Sequence, residues 1–88
     1  MNIEFDSAKN ALNIKNHGIS LADASLLDWD TIHVFVDTRK NYRETRYIGY
    51  AYIGNRMYCV IFTIRKDNIR IISLRKANSR EVKRYGKT

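Results

Sequence analysis

The chain of 88 residues contains no proline, a single cysteine and only four glycines, and it shows no repeat or low-complexity segment. Nothing in this composition marks a linker, so we expect residues 1–88 to form a single domain. A domain of this size has little room for a cofactor-binding unit, and we predict no cofactor. Cys59 lies in the apolar run 57–62 without a second cysteine to pair with, so we expect a small buried residue.

Long hydrophobic runs and metal-ligand patterns are also missing. No apolar segment approaches the roughly 20 residues of a membrane span, and Glu4 and Asp6 stand where a secretion signal would be apolar. We therefore expect a soluble cytoplasmic protein with no membrane partner. No group of histidine, cysteine and carboxylate residues has the spacing of metal ligands, so we predict no metal site and disfavour a metal-dependent nuclease.

Acidic residues are scarce in the second half of the chain. Residues 1–44 contain five Lys and Arg against seven Asp and Glu, a net charge of −2, whereas residues 45–88 contain eleven against two, a net charge of +9. A basic surface of this kind favours a polyanionic partner such as RNA or DNA.

The sequence does contain a helical first third followed by β-branched and aromatic residues, which predicts an α+β fold. Asp6 can cap a first helix that Gly18 ends, and Ser20 with Asp23 resembles a capping box that opens a second helix. Short turns separate the later strands, so we predict an antiparallel twisted sheet of four to five strands. Asn78 or Ser79 can cap a C-terminal helix that has Glu81 in its first turn. The predicted strands are 2–5, 31–37, 45–53, 56–65 and 69–75, and the predicted helices are 6–17, 20–28 and 78–85.

The segment 63–76 carries the strongest signal for a binding site, because cationic side chains stand among β-branched residues on a predicted hairpin. A planar guanidinium group can hold two phosphate oxygens at once, which favours phosphate binding. If Asp67 and Asn68 form a two-residue turn, we expect Arg65 and Arg70 to lie opposite each other and to repel unless an anion lies between them. The alternative is a charged strand edge that prevents aggregation.

Other polar residues are candidates for proton transfer. His17 follows the last turn of the first predicted helix, where the helix dipole favours a protonated imidazole that could donate a proton or bind phosphate. The alternative is an ordinary helix-end residue. Glu44, beside Arg46, could act as a base or only pair with an arginine. We expect His33 and most strand tyrosines to pack or lie on the surface, although an exposed ring could stack on an unpaired base.

These residues belong to a pattern that spans nearly the whole chain and resembles the BrnT toxins of bacterial toxin–antitoxin pairs. The matching segments are Phe5-Asp6-Ser7-Ala8-Lys9, Asn13, His17-Gly18-Ile19-Ser20, Glu44-Thr45-Arg46-Tyr47, Thr63-Ile64-Arg65, Arg70-Ile71-Ile72-Ser73-Leu74-Arg75-Lys76-Ala77, Glu81 and Tyr85. The resemblance implies a small RelE-like domain with ribonuclease activity that stops translation. It also implies neutralisation by a BrnA-like antitoxin, whose DNA-binding domain carries the complex to its own promoter DNA.

The resemblance also selects the site residues. We expect catalytic roles for His17, Glu44, Arg65 and Arg75, and RNA-binding roles for Lys15, Arg46, Arg70 and Tyr85. The mechanistic hypothesis is metal-free cleavage, in which the ribose 2′-hydroxyl attacks the adjacent phosphate while arginines stabilise the added negative charge. Two alternatives stay open: a noncatalytic module that binds nucleic acid, and a toxin of the same fold group that acts on a protein such as gyrase.

Overall fold

The computed structural model of the chain describes residues 2–86. Five strands form one sheet: β1 (Asn2–Glu4), β2 (His33–Val36), β3 (Tyr47–Ile53), β4 (Arg56–Arg65) and β5 (Asn68–Lys76). Helix α1 (Ser7–His17) follows β1, two 3-10 helices (Leu21–Leu26 and Trp29–Thr31) precede β2, and helix α2 (Ser79–Tyr85) follows β5. The predicted α+β class is confirmed. No helix among the described residues is long and apolar enough to cross a membrane.

The sheet is mixed, so the predicted purely antiparallel sheet is wrong in one strand. The strand order is β1-β5-β4-β3-β2, in which β2 to β5 are antiparallel neighbours and β1 runs parallel to β5. Ile3 lies beside Ile69 on the core side, and Glu4 lies beside Arg70, 66 positions later in the chain. No local pattern reports this pairing, because the direction of a strand depends on the path of the chain that precedes it.

The predicted second α-helix over residues 20–28 is also wrong, since Leu21–Leu26 form a 3-10 helix instead, and the other 3-10 helix follows it. Ser20 does act as the cap, and its side chain accepts a hydrogen bond from the Ala22 N–H. Leu21, Ala24 and Leu27 are the buried positions, and their spacing of three residues matches the turn of a 3-10 helix, which keeps them in line. The second 3-10 helix includes Thr31, so β2 begins at His33 rather than at the predicted residue 31.

The two α-helices begin and end as their sequence signals indicate. Asp6 caps α1 by accepting a hydrogen bond from the Lys9 N–H, and Gly18 ends the helix in the left-handed conformation at φ 69°. Asn78 and Glu81 form a reciprocal capping box at the start of α2.

The turn between β4 and β5 lies one residue earlier than predicted. Lys66 and Asp67 form it, and Lys66 has a φ of 54°, in the left-handed region that a two-residue hairpin turn requires. Arg65 therefore pairs with Asn68, and Arg70 pairs with Thr63. The predicted opposition of Arg65 and Arg70 is wrong, because the shift of the turn gives each arginine a different partner on the neighbouring strand.

A bulge in β5 decides which side chains share a face of the sheet. Ser73 pairs with Ile61, whereas Ile71 pairs with Phe62, so Ile72 is an extra residue in β5. In a regular strand, residues 70 and 73 would point to opposite faces. The bulge places Arg70, Ser73 and Arg75 on the same face.

The core lies on the other face of the sheet, beneath the 3-10 helices. Its buried members are Leu21, Ala24, Leu27, Ala51, Val60, Phe62, Ile69, Ile71 and Leu74. A Cβ atom at Gly49 would lie 2.5 Å from the Ile32 Cδ1, so any larger residue there would have to displace the Ile32 side chain. The burial of these residues fixes which side of each strand points away from the core.

We call the side of the sheet that points away from this core the outer face, and α2 covers one end of it. Tyr50, Met57, Cys59 and Ala77 form a small buried cluster under α2, and the predicted burial of Cys59 is confirmed. Burial raises the pKa of the Cys59 thiol, in keeping with an inert packing role. Beyond this cluster, among the residues that the structure describes, no helix covers the outer face.

Candidate active site

Three arginines and two glutamates occupy the uncovered end of the outer face. An Arg65 Nη atom lies 3.2 Å from a Glu44 Oε atom, and the Arg46 Nε lies 3.6 Å from the other oxygen of that carboxylate. Arg70 and Glu4 form a closer pair at 2.7 Å. We call these five residues the arginine–glutamate row.

The register of the sheet aligns this row. The side chain of Thr63 is buried on the outer face and donates a 2.7 Å hydrogen bond to the Thr45 carbonyl. This bond attaches the residues just before β3 to β4. Glu44 and Arg46, on either side of Thr45, are thereby held beside Arg65. β1 is an edge strand, and its parallel pairing with β5 brings Glu4 beside Arg70 on the same face of the sheet.

A folded loop supports Arg46. Its guanidinium lies over the ring of Tyr42, with the Cζ atom 4.3 Å from the ring centre. The Tyr42 hydroxyl donates to Asp37 at 3.0 Å, and Arg39 donates to both oxygens of Asp37 at 2.9 and 2.8 Å. Because of these hydrogen bonds, above all those from Arg39, the pKa of the buried Asp37 carboxyl lies well below its usual range. Asp37 therefore stays ionised and paired with Arg39, and this ion pair holds the loop beneath Tyr42.

Arg46 also has an unusual buried atom. Among the described residues, its Nε is a buried side-chain nitrogen with no hydrogen-bond partner, since the Glu44 oxygen at 3.6 Å is too distant for a good bond. A movement of a few tenths of an ångström by Glu44 would complete this bond. The carboxylate of Glu44 therefore lies between two arginines, with a hydrogen bond from Arg65 and a longer contact to Arg46.

The two glutamates differ in how tightly they are held. Asn68 donates to Glu4 at 2.9 Å and Arg70 donates to it at 2.7 Å, and these two hydrogen bonds lower the pKa of Glu4. A carboxylate stabilised in this way is a poor proton acceptor. Glu44 is the better candidate for proton transfer within the row. Among the described residues, no three His, Cys, Asp or Glu side chains lie close enough to hold a metal ion.

His17 and Lys15 lie apart from the row, at the end of α1. Both side chains are exposed. His17 lines a groove of about 250 Å³ between α1 and the outer edge of β5, together with Lys9, Asn16 and Ser73. Ser73 belongs to both places, because the bulge turns it to the outer face. The groove therefore lies beside the outer face rather than at Glu44.

Arg75 and Tyr85 lie at the covered end of the outer face, where they hold α2. Arg75 donates to both Glu81 oxygens at 2.8 and 2.9 Å, and the Tyr50 hydroxyl donates to the same carboxylate at 2.7 Å. These bonds lower the pKa of Glu81 to about 2, with Arg75 the largest cause. Burial and the bond to Glu81 raise the pKa of Tyr50. The Tyr85 ring stacks on Tyr50 with 4.5 Å between ring centres.

The structure thus gathers four of the eight predicted site residues and separates the others. Glu44, Arg46 and Arg65 are in contact, and Arg70 lies beside them, paired with Thr63. The other four lie elsewhere: Lys15 and His17 on α1, Arg75 near the end of β5, and Tyr85 on α2. The sequence reasoning missed Glu4, which it read only as an acidic residue near the N-terminus. The signal that could have found it is the parallel pairing of β1, which brings an acid to an arginine.

Comparison with known proteins identifies the family. No curated protein matches the chain closely enough to be reported. Residues 5–81 match the family model described as the ribonuclease toxin BrnT of type II toxin–antitoxin systems. The match includes nearly all of the described elements and four members of the arginine–glutamate row. The chain therefore belongs to the BrnT family of ribonuclease toxins.

Proposed function

We propose that this protein is an endoribonuclease that cleaves RNA in the cytoplasm without a metal ion and thereby arrests translation. The observation that carries the proposal is the arginine–glutamate row on the uncovered end of the outer face. Arg65 is half-exposed there, and Glu44 is its hydrogen-bond partner among the described residues. Since a guanidinium has five N–H donors in a planar fork, Arg65 keeps donors for phosphate oxygens.

The proposed reaction is an internal transfer at phosphorus. The ribose 2′-oxygen forms a bond to the adjacent phosphorus as its proton passes to Glu44, and the bond from phosphorus to the 5′-oxygen breaks. The 5′-oxygen takes this proton back from Glu44, directly or through water, and leaves as a hydroxyl, while the other product ends in a 2′,3′-cyclic phosphate. Arg65 and Arg70 stabilise the extra negative charge of the phosphorane between these states. The bond formation and the bond cleavage involve no oxidation or reduction and need no co-reactant.

The remaining predicted residues take supporting roles in this proposal. Arg46 binds substrate and positions Glu44, to which it lies at 3.6 Å. Arg75 and Tyr85 hold α2 on the sheet and so shape one wall of the site. His17, with Lys9 in the groove beside β5, contacts a neighbouring part of the RNA strand, and Lys15 adds positive charge at the same helix end.

The proposed protein partner is a BrnA-like antitoxin that covers the outer face. The family belongs to two-component toxin–antitoxin systems, which supports a partner of this kind. An acidic antitoxin segment would complement the net charge of +7 and occupy the face that RNA needs. A DNA-binding domain in that antitoxin would bring the complex to promoter DNA.

The proposal is tested by the chemistry of the products. Purified protein is incubated with single-stranded RNA in excess EDTA, and the fragment ends are identified by mass spectrometry. We expect 2′,3′-cyclic phosphate and 5′-hydroxyl ends at an undiminished rate. Retardation of RNA on a gel without fragments would identify a binding module instead. Fragments that appear only with added divalent metal would contradict the proposed mechanism.

A further inference from the structure

We infer that Phe35 is a stacking platform for one unpaired base of the RNA, next to the arginine–glutamate row. The inference rests on the proposed ribonuclease function, which it deepens by adding a base-binding subsite. Phe35 is 42% exposed although it is one of the largest apolar side chains of the chain. An exposed aromatic ring on a strand can stack on an unpaired base.

Phe35 lies on the same face as the arginines. It pairs with Ile48 of β3, and Ile48 pairs with Ile61 of β4. Ile61 points to the outer face, as do Thr63 and Arg65 at the next alternate positions of β4. Its neighbours Val34 and Val36 point to the opposite side of β2. They are 43% and 55% exposed, so the edge strand has apolar side chains of similar exposure on both faces.

The ring of Phe35 rests against a rigid aromatic support. The Tyr85 ring lies 5.2 Å away, and the Tyr50 ring lies 6.3 Å away in an edge-on arrangement. Tyr85 in turn stacks on Tyr50, whose hydroxyl is fixed by Glu81. Because α2 and the sheet hold this support on two sides, the platform needs little ordering when a base arrives.

Cations flank the platform, and this favours a nucleobase over an apolar protein segment. Arg46 lies directly before β3, where its carbonyl still accepts a hydrogen bond from the Asp37 N–H, so it is the diagonal neighbour of Phe35 at a backbone distance of roughly 7 to 8 Å. On the other side, the Arg84 guanidinium lies 5.6 Å from the centre of the Tyr85 ring. A flat apolar surface between two arginines suits a base whose flanking phosphates are held by the cations. The Val34 side of β2 has no such arginines in the described pairings.

The bound base must be unpaired. In an A-form duplex the bases are stacked inside the helix and cannot lie flat on a side chain, whereas a single strand or a loop can turn a base outward. The platform therefore specifies single-stranded or looped RNA as the substrate class. It also predicts a preference for a base at one fixed position relative to the cleaved phosphate.

Binding of uncleavable RNA tests the platform directly. The probe is a short 2′-O-methyl RNA oligonucleotide, either intact or with one abasic nucleotide placed at each position in turn. We expect Phe35→Ala to weaken binding of the intact oligonucleotide by roughly 5- to 150-fold, the range found for loss of one stacked base. Val34→Ala is the matched control on the opposite face and should leave the affinity unchanged. Phe35→Trp should restore it.

One abasic position should remove the difference between wild type and Phe35→Ala, because the ring and its base then form one interaction. Phe35→Leu replaces the alanine variant if thermal unfolding shows a lost fold. Equal affinities for wild type and the Phe35 variants would overturn the inference, as would a loss of antitoxin binding with RNA binding intact. If wild type itself neither binds nor cleaves RNA, the proposed function fails rather than the platform alone.

Discussion

The side chain of Asn13 forms the hydrogen bonds that a neighbouring strand would otherwise form with the edge of β5. β1 pairs with residues 68–70 of β5, so within residues 2–86 no strand lies beside the edge of β5 at Leu74. The Asn13 side chain donates to the Leu74 carbonyl at 2.8 Å and accepts from the Leu74 N–H at 3.2 Å. It is also the buried residue of α1, on which Leu12 and Ile14 are exposed. A single amide therefore docks the helix that carries His17.

Replacement of Asn13 tests this role at the scale of one residue. Asn13→Ala leaves the buried N–H and C=O of Leu74 without partners, and each such group costs about 1 to 3 kcal/mol. We expect the free energy of unfolding to fall by about 2 kcal/mol or more, measured by urea denaturation. Asn16→Ala, exposed on the same helix, should change it by less than about 0.5 kcal/mol. Equal stability of the two variants would contradict the docking role.

At the scale of elements, α2 depends on its contacts with the sheet. A helix of seven residues has little stability of its own, so its position rests on packing and on the bonds that converge on Glu81. Arg75, Tyr50 and the capping box all use this one carboxylate. The Tyr85 ring of α2 also contacts Phe35, so the bonds to Glu81 help to hold the rings at the covered end of the outer face.

The pKa of Glu81 gives a test by acid. Its value in the folded protein is lowered from 4.5 to about 2, so its contribution to stability is complete above about pH 5 and is lost as the pH falls toward 2. Glu81→Gln should be less stable than wild type by about 1.5 to 3 kcal/mol at pH 6. This gap should close near pH 2, as measured by urea unfolding at several pH values. Asp37 also titrates in acid, but it does so in both proteins and its effect cancels. A gap that is independent of pH would contradict the assignment.

Elements with local signals were predicted from the sequence, whereas features that depend on distant partners were not. Asp6, Gly18 and Asn78 act through their immediate neighbours, and both α-helices begin and end where these residues indicate. The parallel pairing of β1 and the bulge at Ile72 have no local signature. The first brings Glu4 into the candidate site, and the second places Arg75 on the same face as Arg70.

At the scale of the whole molecule, the fold changes the meaning of the uneven charge. The second half of the chain carries a net charge of +9, but Glu4 and Glu44 from the first half lie among its arginines. These acids form ion pairs with the guanidinium groups, and in the proposed reaction Glu44 is the proton acceptor. Charge counting along the sequence predicted a basic surface, and the structure shows alternating charges at the candidate site.

The central claim is that the arginine–glutamate row cleaves RNA, and two arginines of one strand provide the comparison. Arg56 and Arg65 stand at opposite ends of β4, about 30 Å apart at the rise of a strand, and both are exposed. Arg65→Ala and Arg56→Ala remove the same charge, and both should stay folded because exposed arginines contribute little stability. The direct measurement is the rate of RNA cleavage at saturating substrate. We predict a loss of about 10² to 10³ for Arg65→Ala and little change for Arg56→Ala. Folded variants that cleave RNA at the same rate would contradict the account.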